Sequence, residues 1–265
     1  MRTFAHISAF ATATLFCSQA NAATGLNFDF TGKILDDQYN KLVEPVTTPM
    51  RYMFAAPAKT TGILGFDLGV ATTFIKLPQE ALDIAKTYVD SGSDIPSTLP
   101  VPRLTAQKGL PLGIDLGLNA SMVPGTNIKL LGAGLQYQID LPIPVLPVYA
   151  AARAGYTTLL GLSELSSAHM NIEGLASVGM PAGVSAIFNI EPWLGVGADF
   201  AKASSTIKYS VAGTDSEANL SHNWTETYTM AGARLSLGFF RVGAEAHFSM
   251  NGRPSMYSAK AGIGF

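Results

Sequence analysis

Glu245, His247 and Ser249 alternate along one stretch of chain, and a period of two would place all three on one face of a β-strand. A histidine beside a serine can take up the hydroxyl proton and make the oxygen a nucleophile, with a carboxylate orienting the imidazole. Strand neighbours on one face lie about 7 Å apart, which is long for a direct hydrogen bond. Polar lining of a strand accounts equally well for the three side chains, and the expectation is that the protein is not an enzyme. His169 and Glu173 also share a face, but with His6, His222 and His247 as the other histidines no metal-ligand spacing emerges. The sequence contains neither a GxxxxGK[ST] phosphate loop nor a GxSxG nucleophile turn, so no metal and no cofactor is expected.

The elements that carry these residues repeat one pattern. From Leu112 to Met122 the even positions are Leu, Ile, Leu, Leu, Ala and Met, while the odd ones are Gly113, Asp115, Gly117, Asn119 and Ser121. The same dyad recurs over 66–74, 131–139, 184–190, 194–200, 240–250 and 257–265, and more weakly over 148–159, 167–179 and 224–237. About ten strands result, most of them long enough for the roughly 9–11 residues that cross a bilayer at a tilt. The expected fold is an all-β, antiparallel transmembrane barrel. Its apolar side chains face lipid, with Leu116, Phe188 and Phe240 as representative positions. Its polar face would line the lumen with Asp67, Asp115, Lys129, Arg153, Glu173, Asp199, Glu226, Arg234, Arg241, Glu245 and Lys260. Charges of both signs there read either as a bridging network or as the wall of a water-filled pore.

Turn lengths offer a check, because such barrels have short periplasmic turns and longer outer loops. With 76–109 read as one outer loop, 123–126, 161–165, 191–193 and the neighbourhood of Gly238 are expected at the periplasmic end. The segments 140–147, 212–219 and 251–255 are expected outside. A helical patch at Gln79–Lys86 interrupts the long outer loop.

Composition agrees with a membrane-embedded chain. Of 265 residues 48% are hydrophobic and only 14% charged, below the quarter usual in soluble domains. The formal net charge of −2 argues against nucleic acid as a partner. No stretch supplies the uninterrupted apolar residues of a transmembrane helix; the run at 141–152 is broken by Pro142, Pro144 and Pro147. Residues 1–22 read as a secretory signal, with Arg2, an apolar stretch to Phe16 and a small-residue site at Ala20-Asn21-Ala22. Cys17, the sole cysteine, falls inside it.

Between signal and barrel, residues 23–59 do not alternate. Ile34, Leu35, Tyr39, Leu42 and Val43 suit one side of a short helix ending at Pro45. Two placements stay open: a helix at the periplasmic mouth or along the membrane surface, or a plug inside the lumen. The barrel itself is expected over 60–265.

Several short motifs carry a resemblance. The stretch Tyr39–Pro45 with Gly65-Phe66-Asp67-Leu68, the run Lys108-Gly109-Leu110-Pro111, Gly238-Phe239-Phe240-Arg241 and the closing Gly262–Phe265 resemble an uncharacterised family of bacterial outer-membrane barrels. A barrel with an N-terminal hatch is similar, more distantly, to outer-membrane fatty-acid transporters, which are much longer. His247-x-Ser249 resembles the His-x-Ser of a lipid A deacylase. The closing strand, with Tyr257, Ile263 and a terminal Phe265, resembles the sorting signature of outer-membrane barrels. It implies the barrel-assembly machinery as a partner, and outer-membrane lipid and lipopolysaccharide as surroundings. The functional expectation is an outer-membrane passive channel or transporter for small solutes, apolar ones among them. The alternatives are a closed structural or adhesive barrel whose outer loops bind a partner, and a lipid-modifying enzyme.

Overall fold

A computed structural model describes residues 36–88, 96–122, 129–141, 147–161, 165–180, 188–211 and 214–265; the signal read at 1–22 lies outside them. Among the described residues the strands are β1 (Phe66–Lys76), β2 (Thr98–Leu110), β3 (Ile114–Met122), β4 (Lys129–Asp140), β5 (Val148–Leu160), β6 (Leu165–Val178), β7 (Phe188–Val211), β8 (Thr214–Leu237), β9 (Phe240–Ser249) and β10 (Met256–Gly264). Each pairs antiparallel with its sequence neighbour, and β1 pairs with β10 from Asp67↔Gly264 to Ile75↔Met256. The barrel is therefore closed. Phe66 and Phe265 exchange both backbone hydrogen bonds at 3.0 Å across the seam, and their rings meet edge-on at 4.5 Å.

The alternation read from sequence sets the two faces. Leu68, Leu116, Leu118, Leu135, Val196 and Phe240 are exposed on the outside of the barrel, while Asp67, Asp115, Gln136 and Asp199 are buried within it. Two α-helices, α1 (Asp36–Thr47) and α2 (Gln79–Tyr88), accompany the strands. Pro45 does not end α1. The Thr47 and Thr48 hydroxyls donate to the Val43 and Glu44 carbonyls, which satisfies acceptors in the last turn.

Two details differ from the sequence expectation. The stretch 98–110 is a strand, although Pro100 and Pro102 argue for a loop. Both prolines pair with β1 (Phe74↔Pro100, Thr72↔Pro102), and the ladder to β3 begins only at Leu104↔Ala120, so no hydrogen bond to β3 is lost at either. Conversely, Glu191–Trp193 is no turn but the interior of β7. Pro192 pairs with Ala233 of β8 just before the β6 ladder starts at Ser177↔Trp193.

Adding one strand and fusing two others leaves the count at ten but moves the connections between ends. At one end, here the loop mouth, lie the α2 connection, the β3–β4 and β5–β6 connections, the tip of the β7–β8 hairpin and the turn at 250–255. The other, the turn mouth, holds the tight Pro111–Gly113 and Gly238–Phe239 turns, the β4–β5 and β6–β7 connections and the β1–β10 start and finish. The strand ends that flank 123–126, 140–147 and 161–165 therefore lie opposite to the ends expected for them; residues 123–126, 142–146 and 162–164 themselves fall outside the described residues. β7 and β8 run 24 residues each. Beyond Leu165↔Ser205 and Tyr228↔Ser249 their hairpin has no strand neighbours and projects past the barrel on the loop side.

Candidate functional site

The lumen is occupied by the chain's own residues 39–61. After α1 a short 3-10 turn, Thr48–Met50, leads into an extended stretch with no regular secondary structure. Such a stretch has no internal partners for its amides and carbonyls, and a buried backbone group without one is costly. The barrel wall supplies them. Arg103 donates to the Pro49 carbonyl and, at 2.6 Å, to that of Arg51. Asn171 reaches the Tyr52 carbonyl at 3.3 Å. Arg153 donates to the Ala56 and Pro57 carbonyls, and Gln136 to those of Pro57 and Ala58. Toward the turn mouth the direction reverses. The Ala58 amide donates to Ser177 Oγ, the Thr60 amide to Gln138 and the Thr61 amide to the Asp115 carboxylate at 3.0 Å.

One charged side chain of this segment is fully enclosed. Arg51 has no exposed surface; its Nε lies 3.3 Å from Asp199, its Nη2 is bound to Glu226, and its guanidinium sits 4.0 Å from the Tyr228 ring centre. His169 Nδ1 holds the same Asp199 oxygen at 2.8 Å. A second cluster joins Arg153 to Glu173 and Glu245 at 3.6 and 3.8 Å. Trp193 and Tyr228 donate to Glu245 and Glu173. Arg51 and Arg153 thus each face two carboxylates, which offset the cost of burying them.

Glycines of the wall have a packing reason here. Gly117, Gly134 and Gly155 stand in register across β3, β4 and β5. A Cβ at Gly117 would lie 2.2 Å from Tyr52 Oη, one at Gly134 2.7 Å from Phe54 Cζ, and one at Gly155 2.7 Å from Tyr52 Cβ. The three therefore form a flat seat for the Tyr52–Phe54 ring pair, whose centres are 4.8 Å apart.

At the loop mouth α1 is tied down separately. Tyr39 and Val43 pack on Ala201, Ala203 and Trp224, and the Tyr39 hydroxyl meets Ser205 at 2.9 Å. Glu44 bridges His222 of β8 at 2.6 Å and Arg253 at 2.8 Å. Burial raises the Glu44 carboxyl, but the Arg253 and His222 hydrogen bonds outweigh it and hold it below the ordinary carboxylate range. Lys41 joins α1 to Glu80 of α2 at 2.7 Å.

Most lining residues read from sequence face inward. Asp67 holds Lys260 at 2.7 Å and Arg241 at 3.1 Å, and Arg234 pairs with Glu191. Lys129 does not line the lumen: it is exposed at the loop end of β4, with the outward parity of Leu131, while Leu130 points in. His247 and Ser249 are not brought together. His247 Nε2 meets Glu245 at 3.0 Å and its Nδ1 lies 3.4 Å from Arg51. Ser249 Oγ accepts the Asn251 and Arg253 amides in the turn beyond. Tyr257, Ile263 and Phe265 are exposed on the outer face. Arg51, Tyr52, Phe54 and Arg103 were not legible as site residues, since the first three lie in a stretch without periodicity and the last beside prolines. Among the described residues no group of three His, Cys, Asp or Glu side chains could hold a metal.

Solved barrels resemble this one. The translocator domain of the autotransporter NalP from Neisseria meningitidis aligns at 12% identity over 94% of this chain and 97% of its own, with a TM-score of 0.41. The attachment invasion locus protein Ail of Yersinia pestis aligns at 14% identity over 76% and 97%, with a TM-score of 0.28. For the N-terminal barrel of Pseudomonas aeruginosa OprF the values are 11%, 77%, 99% and 0.29. No curated protein matches the chain. A family model does match, over residues 89–265, and the chain belongs to that family, DUF6588, a family of unknown function.

Proposed function

We propose that the protein is a gated passive channel of the bacterial outer membrane, with the segment inside the barrel as its plug. The observation that carries this reading is how that segment is held: residues 49–61 bind the wall through many hydrogen bonds and ion pairs to side chains, beside smaller apolar contacts of Met50, Met53 and Ala58. Water can replace such bonds, so each contributes only about 0.5–1.5 kcal/mol net, or about 1.5–3 kcal/mol where a charged group takes part. When the segment leaves, Arg103, Arg153, Gln136, Asn171 and Asp199 become the lining of a wetted path. Val101, Leu130 and Leu159, on which Met50 packs, and Leu175, on which Ala58 packs, would be bared with them, so the path offers apolar as well as polar wall to small solutes. The exposed apolar outer face supports placement among outer-membrane lipid and lipopolysaccharide. Outward Tyr257, Ile263 and Phe265 on β10 suit recognition of that strand by the barrel-assembly machinery.

Planar-bilayer conductance of the whole chain and of a variant lacking residues 36–61 tests the reading. A quiet whole chain and a conducting deletion variant are expected. Two silent proteins would defeat it. A closed structural barrel is the second reading, favoured by the fully enclosed Arg51 cluster.

A further inference from the structure

The direction in which the segment runs through the barrel has a topological outcome. Contacts fix its height residue by residue. Tyr39 and Glu44 touch Ser205, His222 and Arg253, all on the loop side, and Lys41 touches α2 in the β1–β2 connection. Met50 packs on Val101, Leu130 and Leu159, each one to three residues from its strand's loop end. Tyr52 and Phe54 lie at mid-wall. Ala58, Thr60 and Thr61 meet Ser177, Gln138 and Asp115, each one or two residues from the turn end of its strand. The chain thus enters at the loop mouth, descends the whole lumen and leaves at the turn mouth to begin β1.

Which mouth faces outward follows from the connections. Short turns and both ends of the strand series mark the periplasmic side of such barrels, and the longer projections mark the outside. Here the α2 connection and the overhanging β7–β8 hairpin stand at the loop mouth; the other holds both ends of the strand series and the two-residue and three-residue turns, beside the longer β4–β5 and β6–β7 connections. We infer that α1 and α2 together form a cap on the outer face of the cell, so that the inner segment is threaded from outside to inside and its N-terminal end is presented to the exterior. This rests on the outer-membrane reading above, though not on conduction. The cap surface carries Asp37, Lys41, Glu80, Asp83 and Thr87 around a cleft of about 530 Å³.

Single cysteines in a Cys17→Ser background decide it, labelled in intact cells with a membrane-impermeant maleimide and again after permeabilisation. Asp37→Cys probes α1, Thr87→Cys α2, and Phe239→Cys the exposed turn at the other mouth. Asp37→Cys and Thr87→Cys should label in intact cells, and Phe239→Cys only after permeabilisation. Labelling of Thr87→Cys but not Asp37→Cys in intact cells would overturn the threading direction. The inverse pattern, Phe239→Cys alone, would overturn the assignment of the mouths. Failure of all three until permeabilisation would remove the outer-membrane placement itself, whereas a silent deletion variant in bilayers leaves the labelling result standing.

Discussion

Arg51 Nε lies 3.3 Å from Asp199 Oδ2, and the same oxygen accepts His169 Nδ1 at 2.8 Å, so one carboxylate joins the inner segment to two walls of the cluster. Removing one partner of an enclosed pair leaves the other charge uncompensated, at about 3–5 kcal/mol. Arg51→Met should therefore release the segment and raise the frequency of conducting events in bilayers. Unchanged conductance, with the barrel still folded on a gel, would show that this cluster does not hold the plug.

The glycine seat gives an independent handle. Gly134→Val places a branched side chain where Phe54 Cζ lies 2.7 Å from the built Cβ. Overpacking of this kind costs about 1–3 kcal/mol. The ring pair should be displaced and the segment loosened. Gly174→Ala, on the outward face with nothing within 4 Å of the new Cβ, is the matched control and should behave as the parent.

Depth in the membrane grades the cost of outward charges. Leu118 and Ile172 stand at the middle of β3 and β6, whereas Phe240 opens β9 beside the Gly238 turn. Arginine at either mid-strand site should destabilise the barrel by roughly 2–4 kcal/mol, and at Phe240 by about 0–1 kcal/mol. Urea unfolding in lipid vesicles measures the difference. Equal effects at all three would show that the lipid-facing band is misplaced.

Protons should unfasten the loop mouth. The Glu44 carboxyl sits below its ordinary range in the docked state, so docking is supported fully above the ordinary carboxylate pKa and lost as pH falls through the lowered value. Openings should accordingly increase on acidification below that range. Glu44→Gln should raise them at neutral pH and flatten the acid response. A variant with the parental pH profile would remove Glu44 from the gate.

The barrel was legible in the sequence because its outer and inner faces obey opposite solvents, and the dyad from Leu112 to Met122 or from Phe240 to Met250 records that directly. The exact strands were less so, because proline at a position paired on one side only looks identical to proline in a loop. Pro100 and Pro102 hid β2, Pro192 split β7, and the two departures cancelled in the count. The occupant of the lumen left no periodic trace, since an extended segment bonded to wall side chains needs no repeat of its own. A trace did exist in the charges. With Lys129 outside, the inward set read from sequence holds four bases against six acids, and Arg51 and Arg103 are among the cations missing from it.

The seam between β1 and β10 constrains the order of assembly. Residues 39–61 lie within a ring of covalently continuous hairpins that only the β1–β10 pairing closes. Gly65 is hydrogen-bonded to Gly62, and Lys108 to Ile63 and Gly65, so the start of β1 is fastened to the foot of the inner segment. A ring already sealed could receive that segment only end-first along its bore, helix included. If the seam is instead the last pairing made, β1 closes over a segment that has already found its wall partners. Filling and closure then become one event, and a barrel of this sequence is never both sealed and empty on its way to the folded state.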